Sequence, residues 1–242
     1  MLDGIKRWFS GRATAPQQGW EDVARWAAAQ RCAYRSVADE GFVVDGRLEA
    51  TPWRLEWGPS QRRYIEGQEL RIRSELGLAP ELQAAVMNRR LQERMEKDVY
   101  EQYVEDVQTR IDDSTPPEMR WLVMFPKLGG TELGTLKERF VALGSHKRWL
   151  QSWLAGTLAA QLQGLNVAPE QPIVLTVGRG RLTLRTALAE AAVPQLQAWL
   201  GLFEVALSAA RGAAGGASAE ASSLSALPQS APGAPAAEES GT

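Results

Sequence analysis

The sequence predicts an α+β fold, and three observations carry that prediction. Apolar and charged residues alternate at strand spacing in Trp53-Arg54-Leu55-Glu56-Trp57 and again over Glu69–Arg73. A second alternating pair, Ile173–Val177 and Leu182–Leu184, flanks the turn signal Gly178-Arg179-Gly180. Elsewhere the apolar period lengthens to that of helices, most clearly after Pro80, after Ser145 and after Pro194. A period near two marks half-buried strands and a period near 3.6 marks amphipathic helices. The expected architecture is an antiparallel β-meander with a long amphipathic helix, a second lobe of helices and a β-hairpin, and a disordered C-terminal tail.

Taken in order, residues 1–19 read as a short N-terminal helix and a linker. Leu2, Ile5, Trp8 and Phe9 fall on one side of such a helix with Lys6 and Arg7 beside them, and Gly11–Gly19 is a linker by composition. A helix of this kind rests on a membrane surface when its apolar face is large enough, and this face is small. Residues 20–113 form the first expected lobe. Trp20, Val23, Ala24 and Ala27 suit one helix face, and Tyr34–Val37 and Phe42–Val44 are short strands. Asp45-Gly46 is a strong two-residue hairpin signal. Gly58-Pro59-Ser60 ends the next strand, and the strand containing Leu70 and Ile72 completes a meander with one buried and one solvated face. Pro80 then opens the longest helix, with Leu82, Val86, Met95, Val99, Tyr103, Val107 and Ile111 at helical spacing. Unbroken to Asp112, it measures about 50 Å at 1.5 Å per residue.

Residues 114–211 form the second expected lobe, packed on the first. Thr115 is placed to cap a helix that has proline in its first turn and Glu118 behind it, carrying the apolar run Met119–Phe125. Arg139–Leu143 reads as a strand. Ser145 is placed to cap a helix whose inner face holds Trp149, Leu150, Trp153, Leu154, Leu158 and Leu162. The hairpin follows, and Pro194 opens a last helix with Leu196, Trp199, Leu200, Phe203 and Leu207 on one face. From residue 212 to residue 242, Ala, Gly, Ser, Pro and Glu dominate, and so little apolar surface cannot offset the entropy of ordering.

Composition narrows the chemistry. One histidine, His146, and one cysteine, Cys32, serve 242 residues that include nine tryptophans. Structural zinc sites need three or four ligands from such residues, so none is expected. The lone cysteine excludes a disulfide within the chain, which fits a cytoplasmic location. A net charge of −2 with interleaved Arg and Glu lacks the basic footprint of nucleic-acid binding. An oxygen-only metal site among Asp98, Glu101, Glu105 and Asp106 competes with the plainer reading of a solvated helix face, and no cofactor is expected.

Catalytic signatures are sparse. The sequence has no Gly-x-Ser-x-Gly elbow and no phosphate-binding Gly-x-x-x-x-Gly-Lys. Ser145 and His146 are neighbours at a helix start, where adjacent side chains point to different faces, so no nucleophile–base pair is expected from them. Cys32 reads as a buried small hydrophobe and His146 as a surface histidine. Carboxylate chemistry from Glu49, Glu56, Glu66, Glu69 and Glu75 competes with cross-strand pairing to arginine.

The segment with most binding character joins Trp53 and Trp57 to Arg62, Arg63 and Tyr64 across a polar Gly-Pro-Ser-Gln turn. Two indoles on one strand face beside a tyrosine suit a pocket for an apolar or planar ligand, but plain core packing is the favoured explanation of them. The favoured function is a non-catalytic protein-interaction or scaffold module, engaging a protein partner or a second copy through the long helix. A small-ligand binder with a Trp-lined cavity is the alternative, and a carboxylate-dependent enzyme stands third.

Overall fold

A computed structural model describes residues 19–37, 40–105 and 115–225. The elements in chain order are α1 (Glu21–Ala29), β1 (Ala33–Val37), β2 (Gly41–Leu48), β3 (Thr51–Pro59), β4 (Gln68–Glu75), β5 (Ala84–Asn88), α2 (Arg89–Glu105), α3 (Pro117–Met124) and α4 (Gly130–Leu133). A 3-10 turn (Gly134–Glu138) then leads to β6 (Phe140–Gly144), α5 (Lys147–Trp153), α6 (Thr157–Gln163), β7 (Ile173–Gly178), β8 (Arg181–Ala187) and α7 (Val193–Ser225). All eight strands belong to one antiparallel sheet in the order β1-β2-β3-β4-β8-β7-β5-β6. The fold is therefore α+β with a meander, as the alternation predicts. The two expected lobes share that sheet, because the β7–β8 hairpin lies between β4 and β5.

Alternation decides which residues meet which layer. Phe42, Val44, Trp53, Leu55, Trp57, Leu70 and Ile72 point to one face, together with Leu175, Val177, Leu182 and Leu184. That face is covered by α1, α5, α6 and α7 through Trp26, Trp149, Trp153, Leu158, Trp199 and Phe203. On the other face Ala85, Met87, Leu143 and Val174 meet Leu91 and Met95 of α2, and Met119, Trp121 and Leu122 of α3. Trp53 is 5 % and Trp57 is 8 % exposed, so both belong to the core, and Trp57 Nε1–H donates to the Leu188 carbonyl at 2.8 Å.

Two local expectations are overturned, each for a packing reason. Asp45-Gly46 does not turn; both residues sit inside β2, and the turn falls at Glu49-Ala50, where Glu49 has φ +53°. Asp45 accepts both Nε (2.6 Å) and Nη2 (3.0 Å) of Arg54, and Gly46 leaves room for the Trp53 indole, whose Cζ2 would lie 2.2 Å from a Cβ placed there. The expected helix from Pro80 is instead a strand over Ala84–Asn88 followed by a helix from Arg89. All five residues of β5 are buried between β6 and β7, and a short fully buried apolar run has no period that separates strand from helix. The far end of the expected helix, residues 106–112, lies outside the described residues. Helix α7 continues past Gly212 as far as Ser225, with Ala213 buried, and residues 226–242 of the expected tail lie outside the described residues.

The caps also differ from expectation. Pro116, not Thr115, is the N-cap of α3, and His146, not Ser145, is the N-cap of α5; neither makes a side-chain cap bond. Ser145 Oγ instead accepts the Gln83 N–H at 3.0 Å and donates to the Glu81 carbonyl at 3.1 Å, tying the α5 start to the segment that leads into β5. Its contact with His146 Nδ1 at 2.9 Å corrects the expectation that these neighbours point apart. Cys32 is half-buried rather than buried, and burial followed by the nearby Glu204 charge pushes its thiol pKa up. The segment 1–18 lies outside the described residues. No helix among the described residues is long and apolar enough to cross a membrane.

Replacing Trp57 by alanine removes a buried indole and its bond to Leu188. A loss of about 3–5 kcal/mol of unfolding free energy is expected in chemical denaturation. A loss near zero would contradict the core placement of that ring.

Candidate interaction site

The strand register assembles a buried ionic cluster on the α2–α3 face of the sheet. Glu56 of β3 is paired with Arg71 of β4, Arg71 with Arg185 of β8, Arg185 with Val174 of β7, and Val174 with Met87 of β5. This single cross-strand row runs from charged to apolar. Two like charges directly opposite each other destabilise a strand pair, and Arg71 and Arg185 are such a pair. Each is met by its own carboxylate. Arg71 Nε donates to Glu56 Oε2 at 2.6 Å, and Arg185 is ion-paired with Glu69. Arg73 reaches Glu56 Oε1 at 3.4 Å. Glu56, Glu69, Arg71 and Arg185 are all buried, so around this row the meander face expected to be solvated is covered, while Asp45, Arg47, Arg54 and Arg73 on the same face stay partly or fully exposed.

The cover comes from the β3–β4 connection and from α3. Glu69 Oε2 accepts the Gln61 N–H at 2.8 Å, and the Gln61 side-chain carbonyl accepts from Arg71. Ser60 Oγ accepts the Arg62 N–H at 3.0 Å, which fixes the bend. Arg62 and Tyr64 then reach across to α3. Arg62 Nε and Tyr64 O–H both donate to Glu118 Oε1, each at 2.6 Å. Glu118, in the first turn of α3, is 3 % exposed, and Tyr64 is 9 % exposed beside Ile65, Met119 and Leu122.

Electrostatics follow from this geometry. Burial alone raises a carboxyl pKa, yet at Glu118 the Arg62 charge and the bonds from Tyr64 and Arg62 outweigh it and hold the group below its ordinary value. Burial, and then the adjacent carboxylate, push the Tyr64 hydroxyl well above its usual range. Burial lowers the Arg185 guanidinium despite Glu69, with Arg62 and Arg71 repelling it further. Glu118 is thus an ionised acceptor for two fixed donors. That arrangement positions a helix on a sheet.

The five residues singled out from sequence divide between the two sides of the sheet. Trp53 and Trp57 face the large core, while Arg62 and Tyr64 lie on the α2–α3 side, so they do not line one pocket. Arg63 is exposed in the turn between them. Trp57 does border a cleft of about 680 Å³, but with Trp20 and Trp26 of the α1 region as companions. Glu118 and Arg185 were not legible as site residues. Glu118 carries the signature of a capping box, and Arg185 looks like one more outward charge on an alternating strand.

Among the described residues no group of three or more His, Cys, Asp or Glu side chains is placed to hold a metal ion. Asp98 is exposed on α2, and the side chains of its expected companions lie outside those described. No protein-family model matches the chain, and no curated protein or solved structure matches it at a significant level.

A carboxyl held below its ordinary pKa contributes stability that is fully present above the unfolded value, near 4.5, and is lost as the pH falls through the folded value. Glu118→Gln should lower stability at neutral pH by about 1–3 kcal/mol, since it leaves the partly buried Arg62 guanidinium and the buried Tyr64 hydroxyl without their ionised acceptor. Its unfolding free energy should also fall less steeply below about pH 4.5 than that of the parent chain. Urea titrations of both proteins across that range measure the two effects, and parallel pH profiles would remove Glu118 from the linkage.

Proposed function

We propose that this chain is a non-catalytic interaction module whose docking surface is centred on α3. The supporting observation is the outer side of that helix. Val123 is 59 % and Met124 is 62 % exposed, and they are the large apolar side chains that stand out in solvent among the described residues. Their helix is held from beneath by Met119, Trp121 and Leu122 and by the Glu118 bonds to Arg62 and Tyr64. Exposed apolar groups on a rigid support are the usual anchors of a protein interface, because little side-chain or backbone order remains to be lost on binding.

The long helix, expected to offer the partner surface, supports a flanking role in this reading. Leu91 and Met95 of α2 are buried on the sheet, and its exposed residues Glu93, Arg94, Lys97 and Asp98 carry both signs of charge. Charges of both signs beside an apolar centre suit the polar rim of an interface. The three buried carboxylates among the described residues, Glu56, Glu69 and Glu118, are each bound to an arginine, which favours a structural role over proton transfer. A single half-buried thiol fits a reducing cytoplasm.

The occupant proposed first is a second copy of the chain, for which the surface is its own complement around a two-fold axis. Sedimentation velocity over a range of concentrations should show reversible self-association. The double variant Val123→Asp, Met124→Asp should shift the chain to monomer, with a change in stability within about 0.5 kcal/mol because both side chains are exposed. A chain that is monomeric at every concentration, or a variant that associates as the parent does, would end this reading.

A further inference from the structure

Independently of the α3 face, the opposite side of the molecule carries a cleft of about 680 Å³ between α1 and the turn that leads into α7. Its wall is mixed, with Trp20, Val23, Trp26, Trp57, Val193 and Pro194 as its apolar part and charged residues at its border. The size lies within the range of small-ligand sites, but the walls are a poor match for one. Trp26 is 9 % and Trp57 is 8 % exposed, so they present edges, while Trp20 stands half-exposed with its ring 5.6 Å from that of Trp57 in an edge-to-face contact. Trp57 Nε1–H is already bonded to Leu188, so that indole offers no free donor. A shallow, partly apolar groove with little ring face suits an occupant that brings its own aromatic side chains.

The chain supplies such an occupant at the right place. Gly19, the first described residue, itself lines the cleft, so the polypeptide that precedes it is covalently joined at the groove. That polypeptide carries Leu2, Ile5, Trp8 and Phe9. Phe9 precedes Gly19 by ten residues, a stretch that reaches about 35 Å when extended, so the connection does not restrict access to a groove of this size. Charge agrees with apolarity. The cleft is bordered by Asp22 and Glu190 against a single guanidinium, Arg25, which is ion-paired with Asp22. The incoming segment places Lys6 and Arg7 between its apolar residues.

We propose that this cleft is the seat of the chain's own N-terminal segment, with Trp8 and Phe9 against Trp20 and the 189–194 turn. Binding of this kind is intramolecular, so its effective concentration is high and modest contacts suffice. The segment in its seat is withheld from any other apolar surface.

Disulfide trapping in the full chain tests the seat directly. In a Cys32→Ser background, Phe9→Cys with Ala192→Cys places one thiol on the segment and one in the cleft. Phe9→Cys with Ser208→Cys serves as control, Ser208 lying exposed in a separate groove on α7. The expected result is a disulfide within one chain that forms about tenfold faster for the Ala192 pair than for the control. Hydrogen exchange gives a second readout, with amides of residues 20–26 and 189–193 expected to exchange faster in Trp8→Ala, Phe9→Ala. Equal trapping rates would overturn the proposal, as would disulfides formed only between chains. Binding of the parent chain to phosphatidylcholine–phosphatidylglycerol vesicles with exchange at the cleft unaltered by the double variant would also overturn it and assign the segment to membranes.

Discussion

The pairing of β4 with β8 is the contact on which the rest of the architecture rests. It joins the N-terminal meander to the C-terminal hairpin, and through β7 and β5 it fixes where both α2 and α3 pack. The same pairing sets Arg71 opposite Arg185 in a buried position, an arrangement that is unfavourable unless compensated. Compensation arrives from two directions, Glu56 on the neighbouring strand and Glu69 two residues along β4. Gln61 and Ser60 then close the remaining gaps through the β3–β4 connection. Once that connection is fixed, Arg62 and Tyr64 are aimed at Glu118, and α3 has one orientation. A chain of polar contacts therefore transmits strand register into the placement of a surface helix.

Both faces of the sheet's central strands are buried, but by different means. The first is filled by indoles and leucines, where burial of apolar area supplies the driving force at about 25 cal/mol per Å². The second changes from apolar over β5, β6 and β7 to ionic over β3, β4 and β8. Such pairs add little net stability over apolar packing, yet they strongly penalise any register that leaves one charge unmatched. A slip of one residue in β4 would carry Glu69 and Arg71 to the apolar face and bring Leu70 and Ile72 to the ionic one. The charged row thus enforces the alignment that the apolar core exploits.

The sequence made the class of fold legible because alternation survives in β3, β4, β7 and β8, where each strand faces two unlike layers. It failed where local chemistry serves tertiary packing. Asp45-Gly46 reads as a turn, but Asp45 is an arginine acceptor and Gly46 a slot for an indole. The β5 run reads as helix because a strand buried on both faces has no polar side to reveal its period. The ionic cluster was half visible. Arg62 and Tyr64 stood out as a polar, aromatic turn, whereas their acceptor Glu118 lies 54 residues beyond Tyr64 in a place where a local cap explains it. Alternating charges on a strand do not disclose whether water or another layer lies above them.

Sheet order also governs when the molecule can be completed. The ion pair between Glu69 and Arg185 spans 116 residues of sequence, and the bond from Trp57 to Leu188 spans 131. Contacts of such separation slow folding, because the loop must close before they stabilise anything. During synthesis, β1 to β4 emerge first, and the partner strand of β4 leaves the ribosome only after more than a hundred further residues. In that interval β4 is an open edge with arginine and glutamate on one side and leucine and isoleucine on the other. The charged side chains discourage association with other nascent chains at this edge. The row that aligns the finished sheet thereby also guards the unfinished one.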